Sequence, residues 1–573
     1  MAAVVTEGRS TSGTAFGIGP RVRAAFATHP HDRAPGEPVW RPLRVLAVDP
    51  TVRRSEGAIA TLRVPYEPLQ PGPAGALFVV DPHDDAANVD YQRVDLDRPA
   101  VLIDNGVATS PGNPQFHQQM VYGVASAVYA SFRGALGRNP AFAVPADATG
   151  RARLRLRPHA APGLNAWYDR HRGEIAFGYA PGPDGFVFTC LSHDVVAHEV
   201  THALVDGLRS RFESPTNPDV PAFHEALADL VALFHRFTYP EVVCAAMRSS
   251  RGDLREARAL TELARQVGEA YRWPALRQAL DADPDHPRLY DPSLEAHALG
   301  GVLVAAVFDA FLAVFKRKTA RHVRLATSGT GVLPPGDPPI DLQHAMAEEA
   351  SGLARQFLAI CIRAIDYCPP VDIEFGEFLR AVITADRDLV PDDPWDYREA
   401  WIESFRRHRI QPQSVATLSE DALVWSPPDR DVRRVEALSF SALRCAGDPG
   451  HAADADELER QAREIGGLVT SANCLPLFGL LDPAQPHDGL VPERPVVESV
   501  RVLRRVGPDG QVRVELVAEV TQDVSVSTSD APVRLCGGST VLIGPDGVVR
   551  LVVRKGLTNA DRRQRQVAFV KGM

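Results

Sequence analysis

Two histidines and a glutamate share one short run, Val196-Ala197-His198-Glu199-Val200-Thr201-His202, with the spacing HExxH. On a helix His198 and His202 stand one turn apart on the same face, where both imidazoles can hold a single zinc ion. Glu199 then lies beside the metal and can take a proton from a water there, the first step of peptide-bond hydrolysis. A hydrolytic zinc ion normally takes three protein ligands, so a third is required. A three-histidine pattern would need glycine at 205 and histidine at 208, but Val205 and Leu208 stand there. The alternative is a carboxylate from the next helix. Glu225 is well placed for this, and Asp229, one turn further along, can accept a hydrogen bond from the second ring nitrogen of a ligand histidine.

Positioning these groups requires two helices and a scaffold. The HExxH run has Ser192 as a candidate N-cap and Gly207 as a stop, and a second helix is expected from near Pro221 to about Phe237. Further helices are expected over His297–Phe315, Ala345–Asp366, Phe375–Ala385 and Trp395–Arg407, which makes 241–412 a helical lobe. Upstream, Asn113 and Pro114 open a helix whose Phe116, Met120, Val124, Val128 and Phe132 form a core-facing stripe. Short β-type runs (Leu43–Val48, Ala58–Val64, Ala76–Val80, Ala100–Ile103) precede it, so 41–240 is expected to be a β-rich lobe that also carries the metal-binding helices.

The run from Asp194 through His202 to Asp206 resembles the zinc helix of the thermolysin-like metallopeptidases, gluzincins in which HExxH is followed by a helix carrying Glu-x-x-x-Asp. The resemblance is specific over about residues 110 to 411 and absent beyond 412. It implies an α+β, two-lobed fold and a zinc metalloendopeptidase, with one catalytic ion on His198, His202 and Glu225. Asn165-Ala166-Trp167-Tyr168 is similar to the family's edge strand, which implies that Asn165 and Ala166 bind the substrate backbone. By the same resemblance His297 would stabilise the oxyanion with Asp291 orienting it, and Arg277 would hold a substrate carbonyl. Phe186, Val195 and Leu276 would line a pocket for an apolar residue after the scissile bond.

Three positions depart from the family. His224 precedes Glu225 where the family has Asn, so an imidazole is expected behind His202. Phe212 is the residue nearest the place of the second oxyanion donor, and it cannot donate; a catalytically weak or inactive peptide-binding protein is therefore the alternative reading. Arg236 stands where a calcium-binding glutamate would be, so the family's double calcium site is expected to be absent and Arg236 to pair with Asp194. A zinc aminopeptidase is disfavoured because no Gly-Ala-Met-Glu-Asn-like motif is present.

The rest of the chain narrows the setting. A hydrophobic fraction of 45%, a charged fraction of 23% and a net charge of -10 describe a globular protein with no basic footprint for nucleic acid. No run is expected to span a membrane, and with Glu7 and Arg9 in place of a signal's apolar stretch, the expected location is cytoplasmic. The expected partner is a peptide or protein substrate. Seven scattered cysteines read as buried thiols. Residues 1–40 look like a flexible arm and 413–490 like a linker with a helical patch at Asp456–Ile465. The stretch 491–573 looks like a small β-rich accessory domain, in which Gly507-Pro508-Asp509-Gly510 and Gly544-Pro545-Asp546-Gly547 turn two hairpins.

Overall fold

The N-terminal segment runs straight to the far end of the chain. The computed structural model describes residues 15–572 apart from 49–57, 183–184, 265–267, 269–274, 276, 282, 284, 429–431, 433, 445–453, 472, 488, 508–509 and 528–531. In place of a loose arm, strand β1 (Gly17–Ile18) and helix α1 (Pro20–Ala24) pack on the C-terminal sheet, with Val22 buried.

Strands β2 (Trp40–Leu46) and β3 (Ile59–Pro65) form an antiparallel hairpin, followed by β4 (Phe78–Val80) and the small pair β5 (His83–Asp84) and β6 (Val89–Asp90). The expected strand at Ala100–Ile103 is instead a short helix, α2 (Pro99–Ile103). Pro99 in its first turn is preset for helix, and so brief an apolar run carries no period to tell the two apart. Helix α3 (Pro114–Leu136) starts as expected: the Asn113 side chain accepts from the Gln115 amide at 3.0 Å. All five residues of its stripe are fully buried. Gly123 lies under Leu43, Val45 and Leu62 of the hairpin.

Strands β7 (Leu154–Pro162), β8 (Ala166–Asp169), β9 (Glu174–Gly182) and β10 (Gly185–Phe188) join β4 in a mixed sheet in the order β10-β9-β7-β4, with β8 also on β9. Among the described residues β8 pairs only with β9, so its other edge is open. Helices α4 (His193–Leu208) and α5 (Asp219–Phe237) pack together below this sheet. Gly207 does not end α4; it lets the helix approach residue 141, where a Cβ would sit 1.8 Å from the Ala141 oxygen.

A two-stranded ribbon, β11 (Glu262–Leu263) with β12 (Arg277–Gln278), leads to the helical region. Its helices are Ala296–Ala326, Ile340–Ala364, Phe375–Leu389 and Tyr397–Arg407, close to expectation but longer at several ends. Phe234, Phe311, Phe357 and Trp401 pack ring against ring in their core, the last two stacked. Contrary to expectation, Ala296–Ala326 is long and apolar enough to cross a membrane by composition. It is a core helix here, with 72% of its most apolar window buried in the protein.

The C-terminal strands β13 (Leu490–Pro492), β14 (Val496–Val506), β15 (Val512–Val526), β16 (Val533–Ile543) and β17 (Val549–Lys555) form a sheet in the order β1-β14-β15-β16-β17, with β13 on β15. Both expected hairpins are present, although Pro508 and Asp509 of the first turn lie outside the described residues. Val500, Leu516, Ala518, Val520 and Val541 pack under the helix Ala455–Val469 and Val22. The opposite face is also covered. Glu519 pairs with Arg209 at 3.2 Å and Arg501 donates to the Gly207 carbonyl at 3.1 Å, so the polar face of the sheet is an interface with the rest of the chain. A sheet with one apolar face was expected; alternation reads the same whether the polar side meets water or buried ion pairs.

Candidate metal centre and cleft

Helices α4 and α5 bring the three expected ligands together. His198 and His202 face each other with their Nε2 atoms 3.0 Å apart, and Glu225 reaches them with Oε2 and Oε1 at 3.3 and 3.7 Å. All three offer ligand atoms within 4.8 Å of one another. The outer nitrogens are committed elsewhere: His198 Nδ1 donates to Asp229 Oδ1 at 2.9 Å, and His202 Nδ1 meets His224 Nδ1 at 2.8 Å. A neutral His198 that donates from Nδ1 has its lone pair at Nε2, aimed at the centre of the group. Two imidazoles and one carboxylate converging in this way fit a zinc ion.

Burial opposes a charge on His198, but its bonds to Asp229 and Glu225 prevail and raise its pKa to about 9, whereas burial and the neighbouring His198 hold His202 well below the usual imidazole range. Burial raises Glu225 as well, yet His198, His202 and Arg277 outweigh it and keep the carboxyl below the usual range. Burial pushes Glu199 up to about 6, a value suited to taking and returning a proton near neutral pH.

These groups line a cavity of about 580 Å³ that also includes Asn165, Ala166, Val195, Arg277 and His297. His297, at the start of the long helix Ala296–Ala326, holds Nε2 3.4 Å from Glu225 Oε2. Its orienting partner differs from expectation. Glu295, the N-cap of that helix, accepts from Nδ1 at 2.7 Å, whereas Asp291 is exposed and bonded to Ser293. Arg277 bonds Asp229 and lies 3.4 Å from Glu225 Oε2, so it braces the ligand set as well as lining the cavity. Phe186 falls outside the lining: it is 58% exposed and stacks near Tyr179 and Phe188, because its position on β10 turns it to the surface. Leu276 lies outside the described residues.

Three features were not foreseen in full. Tyr168 lines the cavity, but its hydroxyl donates to Asp206 at 2.9 Å. Asp206, at the end of α4, is fully buried and also binds Arg21 and Arg170, which ties the N-terminal segment to the α4 helix. Glu213 lines the cavity one residue beyond the buried Phe212, and no sequence signal marks it. Asp194 and Arg236 pair as expected, with Arg236 Nε 3.0 Å from Asp194 Oδ1, and the Ala264 amide donates to Oδ2 at 3.0 Å. Apart from the centre, His117 Nδ1 meets His159 Nε2 at 2.8 Å beside Cys190, a buried thiol whose pKa burial raises.

A scan against protein-family models and a search of curated proteins both return no match for the chain.

Proposed function

We propose that this protein is a zinc-dependent metalloendopeptidase with a thermolysin-like, two-lobed catalytic region. The observation that carries this reading is the convergence of His198, His202 and Glu225 on one point, with Glu199 beside them in an open cavity. A zinc ion held there would supply Lewis-acid polarisation of a substrate carbonyl and lower the pKa of water.

The chain's own residues account for the remaining steps. A peptide adds to the open edge of β8 as a further strand, hydrogen-bonding through residues 165 and 166. Val195 gives the cavity an apolar wall for the side chain after the scissile bond. Glu199 takes a proton from the attacking water and later delivers it to the leaving amine. Glu295 accepts from His297 Nδ1, so a ring protonated on both nitrogens has its Nε2–H left to donate to the oxygen that becomes negative. Asp229 and His224 fix the outer sides of the two ligand rings, and Arg277 locks Asp229 in place.

One observation favours a second reading, a peptide-binding protein with little activity. Among the described lining residues the only tyrosine is Tyr168, and Asp206 already takes its hydroxyl. Zinc content per chain, measured together with the cleavage sites in a mixed peptide library, separates the two. One zinc with internal cuts before apolar residues supports the peptidase; one zinc with peptide binding and no cuts supports the binding protein. Absence of zinc from the purified and zinc-reconstituted chain would overturn both.

A further inference from the structure

The carboxylate of Asp206 is fully buried, and three segments of the chain meet on it. It stands one helical turn after the candidate ligand His202, on the same face of α4. Its Oδ2 accepts from the Tyr168 hydroxyl at 2.9 Å and from Arg170 Nε at 2.6 Å, and Arg170 Nη2 also reaches Oδ1. Tyr168 belongs to β8, and Arg170 directly follows its last residue, Asp169. Asp206 therefore pins the end of the open-edged strand to the helix that carries the two histidines. At its other end β8 is fixed differently, through the Asn165 carbonyl, which accepts from the Gly178 amide at 2.8 Å and from Thr189 Oγ1 at 3.3 Å.

The third segment is the N-terminal one. Strand β1 extends the C-terminal sheet beside β14, and Val22 of α1 is buried in one cluster with Leu458, Ala462 and Val500. Its neighbour Arg21 reaches the active-site helix, with Nη2 2.9 Å from Asp206 Oδ1 and Nη1 donating to the Asp206 carbonyl. Charge makes this contact matter. Glu213, in the cavity wall, pairs with the same Arg170 Nη2 at 2.5 Å, so two carboxylates share two guanidiniums. Burial opposes a charge on Asp206, but Arg170 and Arg21 outweigh it and hold its carboxyl below the usual range. Burial and the neighbouring Asp206 push Glu213 up, so the group has no positive charge to spare. Without Arg21, Asp206 and Glu213 compete for Arg170 alone, and a buried charge that loses a partner is costly.

We infer that Arg21 is a positioning residue for the cleft: by neutralising Asp206 it keeps Tyr168 and Arg170 in place, and so holds β8 against α4 for an incoming peptide. The inference rests on the reading of β8 as the peptide-binding strand, though not on hydrolysis itself. A strand held in one place adds a peptide at little cost, whereas a strand free to shift must be ordered by its ligand, which weakens binding. Among the described residues Arg21 makes no hydrogen bond or ion pair with a metal ligand or with Glu199, so metal binding and proton transfer do not depend on it directly. The N-terminal segment is thereby a working part of the cleft, and the C-terminal sheet on which it is mounted acts on the substrate through it.

Three readouts on the full chain test it, comparing the parent with Arg21→Gln and Arg21→Lys. Hydrogen exchange of the β8 amides, followed by mass spectrometry in a zinc-loaded Glu199→Gln background, should quicken by about tenfold in Arg21→Gln while that of α5 stays constant. Affinity for a fluorescein-labelled Ala/Leu hexapeptide in the same background should fall by about tenfold, with zinc content unchanged. With Glu199 restored, KM for a cleaved peptide should rise by a similar factor while kcat stays within about twofold, and Arg21→Lys, which keeps the charge, should recover most of the loss. Val541→Ala, a buried change elsewhere in the C-terminal sheet, should lower Tm yet leave KM and peptide affinity as in the parent. A chain that binds the peptide without cutting it refutes the peptidase reading, and the exchange and affinity measurements then decide this inference. Failure of the parent to bind the peptide overturns it together with that reading. Unchanged exchange and affinity in Arg21→Gln, loss of zinc along with the peptide, or an equal loss of affinity in Val541→Ala overturns it alone.

Discussion

Replacing Arg236 by methionine strips the counter-charge from Asp194, which is buried in the first turn of α4, one turn before the candidate ligand His198. Removing one partner of a buried pair costs about 3–5 kcal/mol, because the remaining charge is left without water or compensation. Here the figure belongs at the low end, about 3 kcal/mol. Asp194 keeps the Ala264 amide at 3.0 Å and sits at a helix N-terminus, which favours a negative charge by up to about 1 kcal/mol. The double variant Asp194→Asn/Arg236→Met removes both charges and should fall within about 1 kcal/mol of the parent. The two changes are therefore strongly non-additive, with a coupling of about 2 kcal/mol or more. Urea denaturation followed by tryptophan fluorescence, in a Glu199→Gln background to suppress any self-digestion, measures the cycle. Adding calcium to the parent should not raise the urea midpoint, because the guanidinium occupies the position opposite Asp194. Additive effects of the two substitutions, or a single-variant cost below about 1 kcal/mol, would refute the idea that Arg236 does an ion's work here.

Three further outcomes follow from the geometry. Asp229→Ala removes the hydrogen bond that orients His198 and should weaken zinc binding about 10–100-fold in a chelator competition; unchanged affinity would contradict its role. His159 is held neutral by burial, with its pKa lowered from the usual 6.5 to about 4. Its contribution to stability is complete above pH 6.5 and is lost as pH falls through 4, by about 3 kcal/mol, so His159→Gln should show a shallower loss of Tm between pH 6.5 and 4 than the parent. Gly207→Ala drives a Cβ to within 1.8 Å of the Ala141 oxygen and should lower stability by about 2 kcal/mol or more; a neutral effect would mean that the contact between α4 and residue 141 yields easily.

The site was legible where its information is local. His198 and His202 are one helical turn apart and Glu225 and Asp229 are another such pair, so the spacing is readable although the start signals are not: Ser192 makes no side-chain cap, and α5 begins at Asp219 rather than near Pro221. Asn113 and Pro114 did mark the start of α3. Contacts made across loops were harder to read. Asp291 was the expected partner of His297, but the N-cap geometry of the following helix puts Glu295 there instead. Phe186 lies on the correct strand yet faces outward, since one residue of register sends a side chain to the opposite face. The polar face of the C-terminal sheet differs from expectation for a physical reason. Arg501, Arg505 and Glu519 look solvent-facing in a strand, and nothing in their own sequence reveals that Arg209 and Asp366 wait opposite. Composition hid the N-terminal segment too, where Val22 and Arg21 dock among residues rich in Gly, Ser and Thr.

The central claim is that Glu199 moves the proton in a metal-dependent peptide hydrolysis. Cleavage of a mixed peptide library by zinc-loaded wild type and by Glu199→Gln tests it most directly, with zinc content measured on both. The account predicts one zinc per chain in each protein, internal cleavage by wild type, and a loss of at least about 100-fold in Glu199→Gln. Equal cleavage by the two proteins at equal zinc content would contradict it.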